Sequence, residues 1–174
     1  MVQLLSKDKC LNALAGLRID ARAILFTDEK PVISNRGEVQ LNANNISGIP
    51  VFQISAEAAK AMANGAKCHV VLDLLPDFSE ELLISYMKQR ISTGGYKSAV
   101  NFLTGLFAKK LSEVLCDRCK FSKKLTAEKF TEGDITNLCK QIKNFKIQIY
   151  GTNGFEHAQC CGGGVSLEEV DPLT

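Results

Sequence analysis

The sequence predicts an α+β fold, a β-rich body interrupted by a helical insertion. Three observations carry this. Period-two segments occupy both ends of the chain, at Leu17 to Leu25 and again at Lys146 to Tyr150. Helical spacing takes over abruptly after Pro76. The 174 residues, 45% of them hydrophobic, are enough to bury one core or a core with a subdomain set into it.

Taken in order, Met1 to Leu5 reads as a short strand and Ser6 to Gly16 as a connection or helical turn. Leu17, Ile19, Ala21, Ala23 and Leu25 alternate with Arg18, Asp20 and Arg22, the pattern of a half-buried strand. Thr27-Asp-Glu-Lys-Pro31 supplies turn chemistry and Val32 to Leu41 resumes extended character, so the pair reads as a hairpin. A polar loop from Asn42 leads into an Ala-rich helix, with Ser47 expected to cap it, Pro50 near its start and Asn64-Gly65 at its end. Lys67 to Leu75 is a β run in which His69 faces solvent or a neighbour. Asp77 or Ser79 opens a helix with Glu80 and Glu81 in its first turn, where the helix dipole favours acids, and Ser92-Thr-Gly-Gly95 breaks it. Helices are expected at Lys97 to Phe107, Lys109 to Cys119 and Asp134 to Phe145, with a polar hinge at Thr126 to Glu132. The final strand turns at Gly151 to Gly154 and is expected to continue in β form from Phe155 to Cys161.

Composition narrows the function classes. A net charge of +2 demands neither nucleic acid nor membrane, but Ser85 to Phe130 holds ten basic residues against three acidic. Lys109, Lys110, Lys120, Lys123 and Lys124 could therefore meet nucleic acid or an acidic protein, although the aromatics between them are spaced as core residues rather than as a stacking platform. No apolar run approaches the ~18 residues that span a bilayer, and no signal-peptide pattern opens the chain, so a cytoplasmic protein is expected. Seven irregularly spaced cysteines read as reduced thiols. Cys116-Asp-Arg-Cys119 has redox or half-zinc spacing but ends a helix, without the second ligand pair that a zinc site needs.

Cys160-Cys161-Gly162-Gly163-Gly164 can either cradle a ligand through its backbone or form a bulge and turn. GxGxxG, P-loop, paired catalytic carboxylates and a nucleophile–base set are all absent, so no complete active site can be assembled from these residues.

Four segments carry a family resemblance. They are Leu14-Ala-Gly-Leu17, Gly37-Glu-Val-Gln-Leu-Asn-Ala-Asn-Asn-Ile-Ser-Gly-Ile-Pro-Val51, Gly151-Thr-Asn-Gly-Phe-Glu156 and Cys161-Gly-Gly-Gly-Val-Ser-Leu-Glu-Glu-Val-Asp171. Nearly end to end, the sequence resembles the bacterial BaiN-type, or aminoacetone-oxidase-family, FAD-binding oxidoreductases. It differs from their pattern at Ala43, Asn45, Ile49 and Cys161. The resemblance implies a β-barrel-like subdomain, at 1–75 and 146–174, bearing a helical subdomain at 76–145. It also implies that the chain is the insert of a larger flavoprotein, whose Rossmann-type FAD domain lies outside 1–174. Inactive when isolated, such an insert shapes and covers the flavin site of a parent that acts on a small-molecule substrate, with NAD(P)H as possible co-substrate. Cys161, Gly162, Gly163, Gly164, Ser47 and Gly48 are its implied flavin-side residues.

Overall fold

The computed structural model describes residues 1–122, 124–160, 164–165 and 167–171, the side chain of Leu167 excepted. Its strands are β1 (Leu4–Leu5), β2 (Leu17–Thr27), β3 (Lys30–Leu41), β4 (Asn45–Ser47), β5 (Cys68–Asp73), β6 (Phe145–Ile149) and β7 (Gly151–Thr152). They form one antiparallel sheet in the order β6-β5-β2-β3-β4-β1-β7. The outermost members, β6 and β7, are separated in sequence only by Tyr150. One nearly continuous strand thus pairs with β5 over its first half and with β1 over its second, which closes the sheet into a barrel and removes its open edges. At the changeover the Tyr150 amide donates to the Leu5 carbonyl, 2.9–3.0 Å being ordinary for such a bond, here 3.0 Å.

Register stacks the barrel interior in rows: Ala23 beside Leu72 and Phe145, Leu25 beside Val70 and Ile147, Thr27 beside Cys68 and Ile149. All but Thr27 are buried apolar residues. Arg18, Asp20 and Arg22 point the other way and are exposed, as the alternation requires. The hairpin joining β2 to β3 turns at Asp28 and Glu29, both at positive φ, which suits the twist of a two-residue loop. A bulge between Leu25 and Phe26 skips Val32 in the register, with Pro31 opposite Phe26 beside the turn.

Helix α2 (Ile49–Ala63) lies against the inner face of this sheet. Its Pro50 packs beside Gly37, and its Ala58 carbonyl meets the inward-facing Cys68 thiol. The small residues Ala21, Ala23 and Gly37 make room for it. The helix ends in a Schellman arrangement, Ala66 donating to Ala61 and Gly65 to Met62, with Gly65 at φ +81°.

Between β5 and β6, which are neighbours in the sheet, the chain makes its helical excursion. It contains α3 (Glu80–Gly94), α4 (Ala99–Phe102), α5 (Lys109–Arg118), a 3₁₀ turn at Ala127–Lys129 and α6 (Glu132–Lys143), while α1 (Cys10–Leu14) follows β1. Ser79 caps α3, accepting from Leu82, and Thr131 with Asp134 forms a capping box on α6. Lys143 pairs with Asp73 at 2.7 Å, both largely buried, and donates to the Leu75 carbonyl. Arg118 lays its guanidinium 3.7 Å from the Phe145 ring centre and donates to Lys146 O. Outside, Arg36 bridges Asp20 and Asp77, holding the Asp77 carboxyl below its ordinary pKa. No helix of the described residues is long and apolar enough to cross a membrane.

Several expectations are corrected. Ser47 does not cap α2: it is the last residue of β4, and its hydroxyl accepts from Asn42, 3.3 Å away, while Gly48 is the N-cap without any side-chain bond. The helix expected at Lys97 to Phe107 shrinks to four residues, because Gly105 at φ +91° and Ala108, extended before α5, break it. The hinge at Thr126 to Glu132 is instead a packed 3₁₀ turn with Ala127 buried. Of the β run expected from Phe155 to Cys161, Phe155–His157 is a 3₁₀ turn and 158–160 form no strand, since β1 is too short to pair beyond Thr152, while Cys161 lies outside the described residues.

Two tests follow from the packing. A Cβ on Gly48, at φ +102°, would lie 2.2 Å from the Glu38 carbonyl oxygen, whereas one on Gly65 would meet nothing within 4 Å. Gly48→Ala is expected to lower stability by at least about 3 kcal/mol and Gly65→Ala by about 1 kcal/mol, measured by urea denaturation. His69 is buried and stacked on Phe26, centroids 4.9 Å apart. Burial, assisted by Lys146, lowers its pKa despite Glu29. The unfolded chain therefore binds this proton more readily, and the His69 contribution is intact above about pH 6.5 and lost as pH falls through that value and below. Comparing urea midpoints at pH 7.5 and 5.0, His69→Phe is expected to show the smaller drop.

Candidate functional site

The first residues of the chain, the middle of α2 and the segment after β7 converge at one rim of the barrel. Val2 donates its amide to the Ser55 hydroxyl at 3.1 Å, and that hydroxyl donates onward to the Phe52 carbonyl at 2.7 Å. Asn153 donates its amide to Gln3, and Gln159 donates to Met1. The Met1 amine lies 2.6 Å from the Cys160 carbonyl. Residues 159 positions apart are thus side by side.

These three segments enclose a groove of about 590 Å³. Val2, Ala56, Ala59, Phe155 and Ala158 make its walls mainly apolar. Phe155 is 83% exposed, a large cost in unburied apolar surface for a chain this size. Lys60 is the one charged side chain among the described residues of the lining. The Ser55 hydroxyl and the Asn153 amide are engaged in bonds within the fold, so the groove offers contact area more than hydrogen bonds.

The expected flavin-side residues divide. Cys161, Gly162 and Gly163 lie outside the described residues. Gly164 is exposed, and a Cβ there would meet nothing within 4 Å. Ser47 and Gly48 sit in the barrel wall at the start of α2 and do not line the groove. The glycine at 48 has a structural reason of its own, the contact with Glu38. Met1, Val2, Ala56, Ala59 and Phe155 were not singled out from sequence. Small residues recurring on the exposed face of α2 were the available signal, but nothing local showed that the N-terminal segment would cross that helix.

The other candidates take structural places. Cys116 and Cys119 are buried, and burial pushes their thiols up to about 11 and about 12, away from the reactive thiolate form. Among the described residues no three His, Cys, Asp or Glu side chains gather as a metal site would require. Of the basic surface, Lys110 donates to the Ala15 carbonyl at 3.3 Å and Lys109 stands 4.0 Å from Glu113, whereas Lys123 lies outside the described residues. Lys120, at φ +59°, and Lys124 are exposed.

Two comparisons bear on this arrangement. A family model described as HI0933-like protein barrel and H2TH domain matches residues 1–160. The 3-dehydro-bile acid delta(4,6)-reductase of Clostridium scindens is 33% identical over 174 residues, the whole of this chain and 42% of that relative. The chain therefore spans less than half the length of the protein it matches.

Thiol accessibility gives a direct check of the site's chemistry. Iodoacetamide at pH 8 is expected to label the exposed Cys160 in the native protein, and Cys68, Cys116, Cys119 and Cys139 only after denaturant is added, as read by peptide mapping.

Proposed function

Because this chain belongs to the HI0933-like family, of which it is the barrel and H2TH domain, we propose that it is the substrate-side insert of an FAD-dependent, NAD(P)H-linked oxidoreductase. The observation that carries the reading is the pairing of Met1 with Cys160. A domain whose entry and exit lie together can be set between two parts of another domain without disturbing either. A relative named as a reductase, of which this chain matches 42%, supports the same reading.

In this proposal the Rossmann-type domain of the same polypeptide holds the flavin, and the flavin supplies the hydride chemistry when bound. The residues of this chain bind and orient the substrate and exclude water from the reacting face. Cys161 to Gly164 form the return path toward the flavin. The open space around Gly164 fits that role, since a neighbouring body can approach its backbone without meeting a side chain. Ser47 and Gly48 act at one remove, by fixing where α2 begins. The barrel supplies a rigid wall, and the helical excursion, joined through Lys143 and Arg118, covers it.

Flavin content tests the proposal. The longer polypeptide is expected to purify yellow, with flavin absorbance near one equivalent, and residues 1–174 alone to be colourless. Gly163→Val in the longer polypeptide is expected to lower flavin occupancy severalfold. Full occupancy in that variant, or a colourless longer protein, overturns the assignment.

A further inference from the structure

We infer that the outer face of α2, together with the groove beside it, is the docking surface for the part of the same polypeptide that lies outside residues 1–174. That such a part exists, and that it holds flavin, rests on the proposed function above. Helix α2 shows why the surface needs a cover. Its inner face, with Val51, Ile54 and Ala58, is buried against the barrel. On the other side Ile49, Phe52, Ala56, Ala59 and Ala63 recur at alternating spacings of three and four residues, and none of them is buried. Only Gln53, Glu57 and Lys60 make a polar strip between the two faces. A helix that is apolar around most of its circumference belongs in an interior, with something packed on both sides.

The groove continues this surface. Ala56 and Ala59 line it together with Phe155, which is 83% exposed, and Ile49 at the start of the helix is 69% exposed. Exposed apolar patches of this kind mark places where another body packs. The polar groups of the lining are largely engaged already. The Ser55 hydroxyl, the Asn153 amide and the Met1 amine bond within the fold, and Lys60 pairs with Glu57, so Thr152 brings the remaining hydroxyl. Contact area with few free hydrogen-bonding groups suits a packed apolar protein element, and the small side chains at 56, 59 and 63 let its backbone come close.

Two observations choose the occupant. Met1 and Cys160, 2.6 Å apart from amine to carbonyl, both border the groove, so polypeptide joined on either side starts from its rim. The relative from Clostridium scindens extends well beyond the 42% that this chain matches, which makes the flanking part the larger body. Tied by two connections at one rim, that part meets the groove at an effective concentration on the order of millimolar, whereas a second copy or a separate protein has to be captured from solution.

Thiol labelling in the longer polypeptide tests the docking, with each labelled position read by peptide mapping. Ala56→Cys puts a thiol on the docking face, and Gln89→Cys puts one at an exposed position of α3 that does not line the groove. In residues 1–174 both are expected to react with iodoacetamide at similar rates. In the longer polypeptide Ala56→Cys should slow by about tenfold or more while Gln89→Cys is unchanged. Protection should persist when flavin is stripped from the folded protein, because it comes from packed polypeptide. Equal rates at the two positions in the longer polypeptide, or protection that vanishes with the flavin, overturn the inference. So does protection in residues 1–174 that grows with protein concentration, which assigns the face to a second copy. A colourless longer polypeptide that still protects Ala56→Cys keeps the docking surface and overturns only the oxidoreductase reading. A yellow one in which Ala56→Cys labels freely overturns the docking surface alone.

Discussion

The strand that runs from β6 through Tyr150 into β7 holds the barrel shut, and most other features of the molecule depend on it. By pairing first with β5 and then with β1, it joins segments that lie about as far apart in the chain as this protein allows. Closure satisfies backbone groups that an open sheet would leave at its edges. It also brings the Asn153–Cys160 segment back alongside Met1 to Gln3, which creates the rim where the groove forms.

The helical excursion is attached with little disturbance to this closed wall, since it leaves from β5 and returns on the adjacent β6. Its joint is held by groups removed from solvent. Lys143 with Asp73 is largely buried and also takes carbonyls from the turn after β5, so removing either partner would strand a charge in a poorly hydrated site, a penalty of about 3–5 kcal/mol. Exposed pairs such as Arg18 with Glu38 contribute about 0–1 kcal/mol and do not decide the architecture. Arg118 illustrates how the excess positive charge of the middle segment is partly spent on the joint: its guanidinium is on Phe145 and a barrel carbonyl rather than on the surface.

Membership of the HI0933-like family agrees with both halves of this picture, a barrel and a helical part. The glycines separate two roles that look alike in sequence. Gly48 is required because its neighbour is the Glu38 backbone, a contact internal to the fold, whereas the position of a Cβ on Gly164 is open. Only the second kind leaves room for another molecule.

The sequence by itself determined the elements whose signal is local. Alternation of Ala21, Ala23 and Leu25 against arginine and aspartate marked β2, Asn64-Gly65 marked the end of α2, and the start of α3 was narrowed to Asp77 or Ser79 by the acids that follow, Ser79 being the cap. Each depends on residues within a turn or two, where periodicity and capping act. Only the tertiary structure decided the rest. Strands β4 and β7 have three and two residues, too few to show a period, and exist because β1 and β3 stand ready to pair with them. Ser47, a credible cap on local grounds, was claimed by that pairing. The groove, likewise, is made of Val2, Ala56 and Phe155, residues unremarkable in their own neighbourhoods, which meet because barrel closure fixes contacts between distant positions that no local pattern encodes.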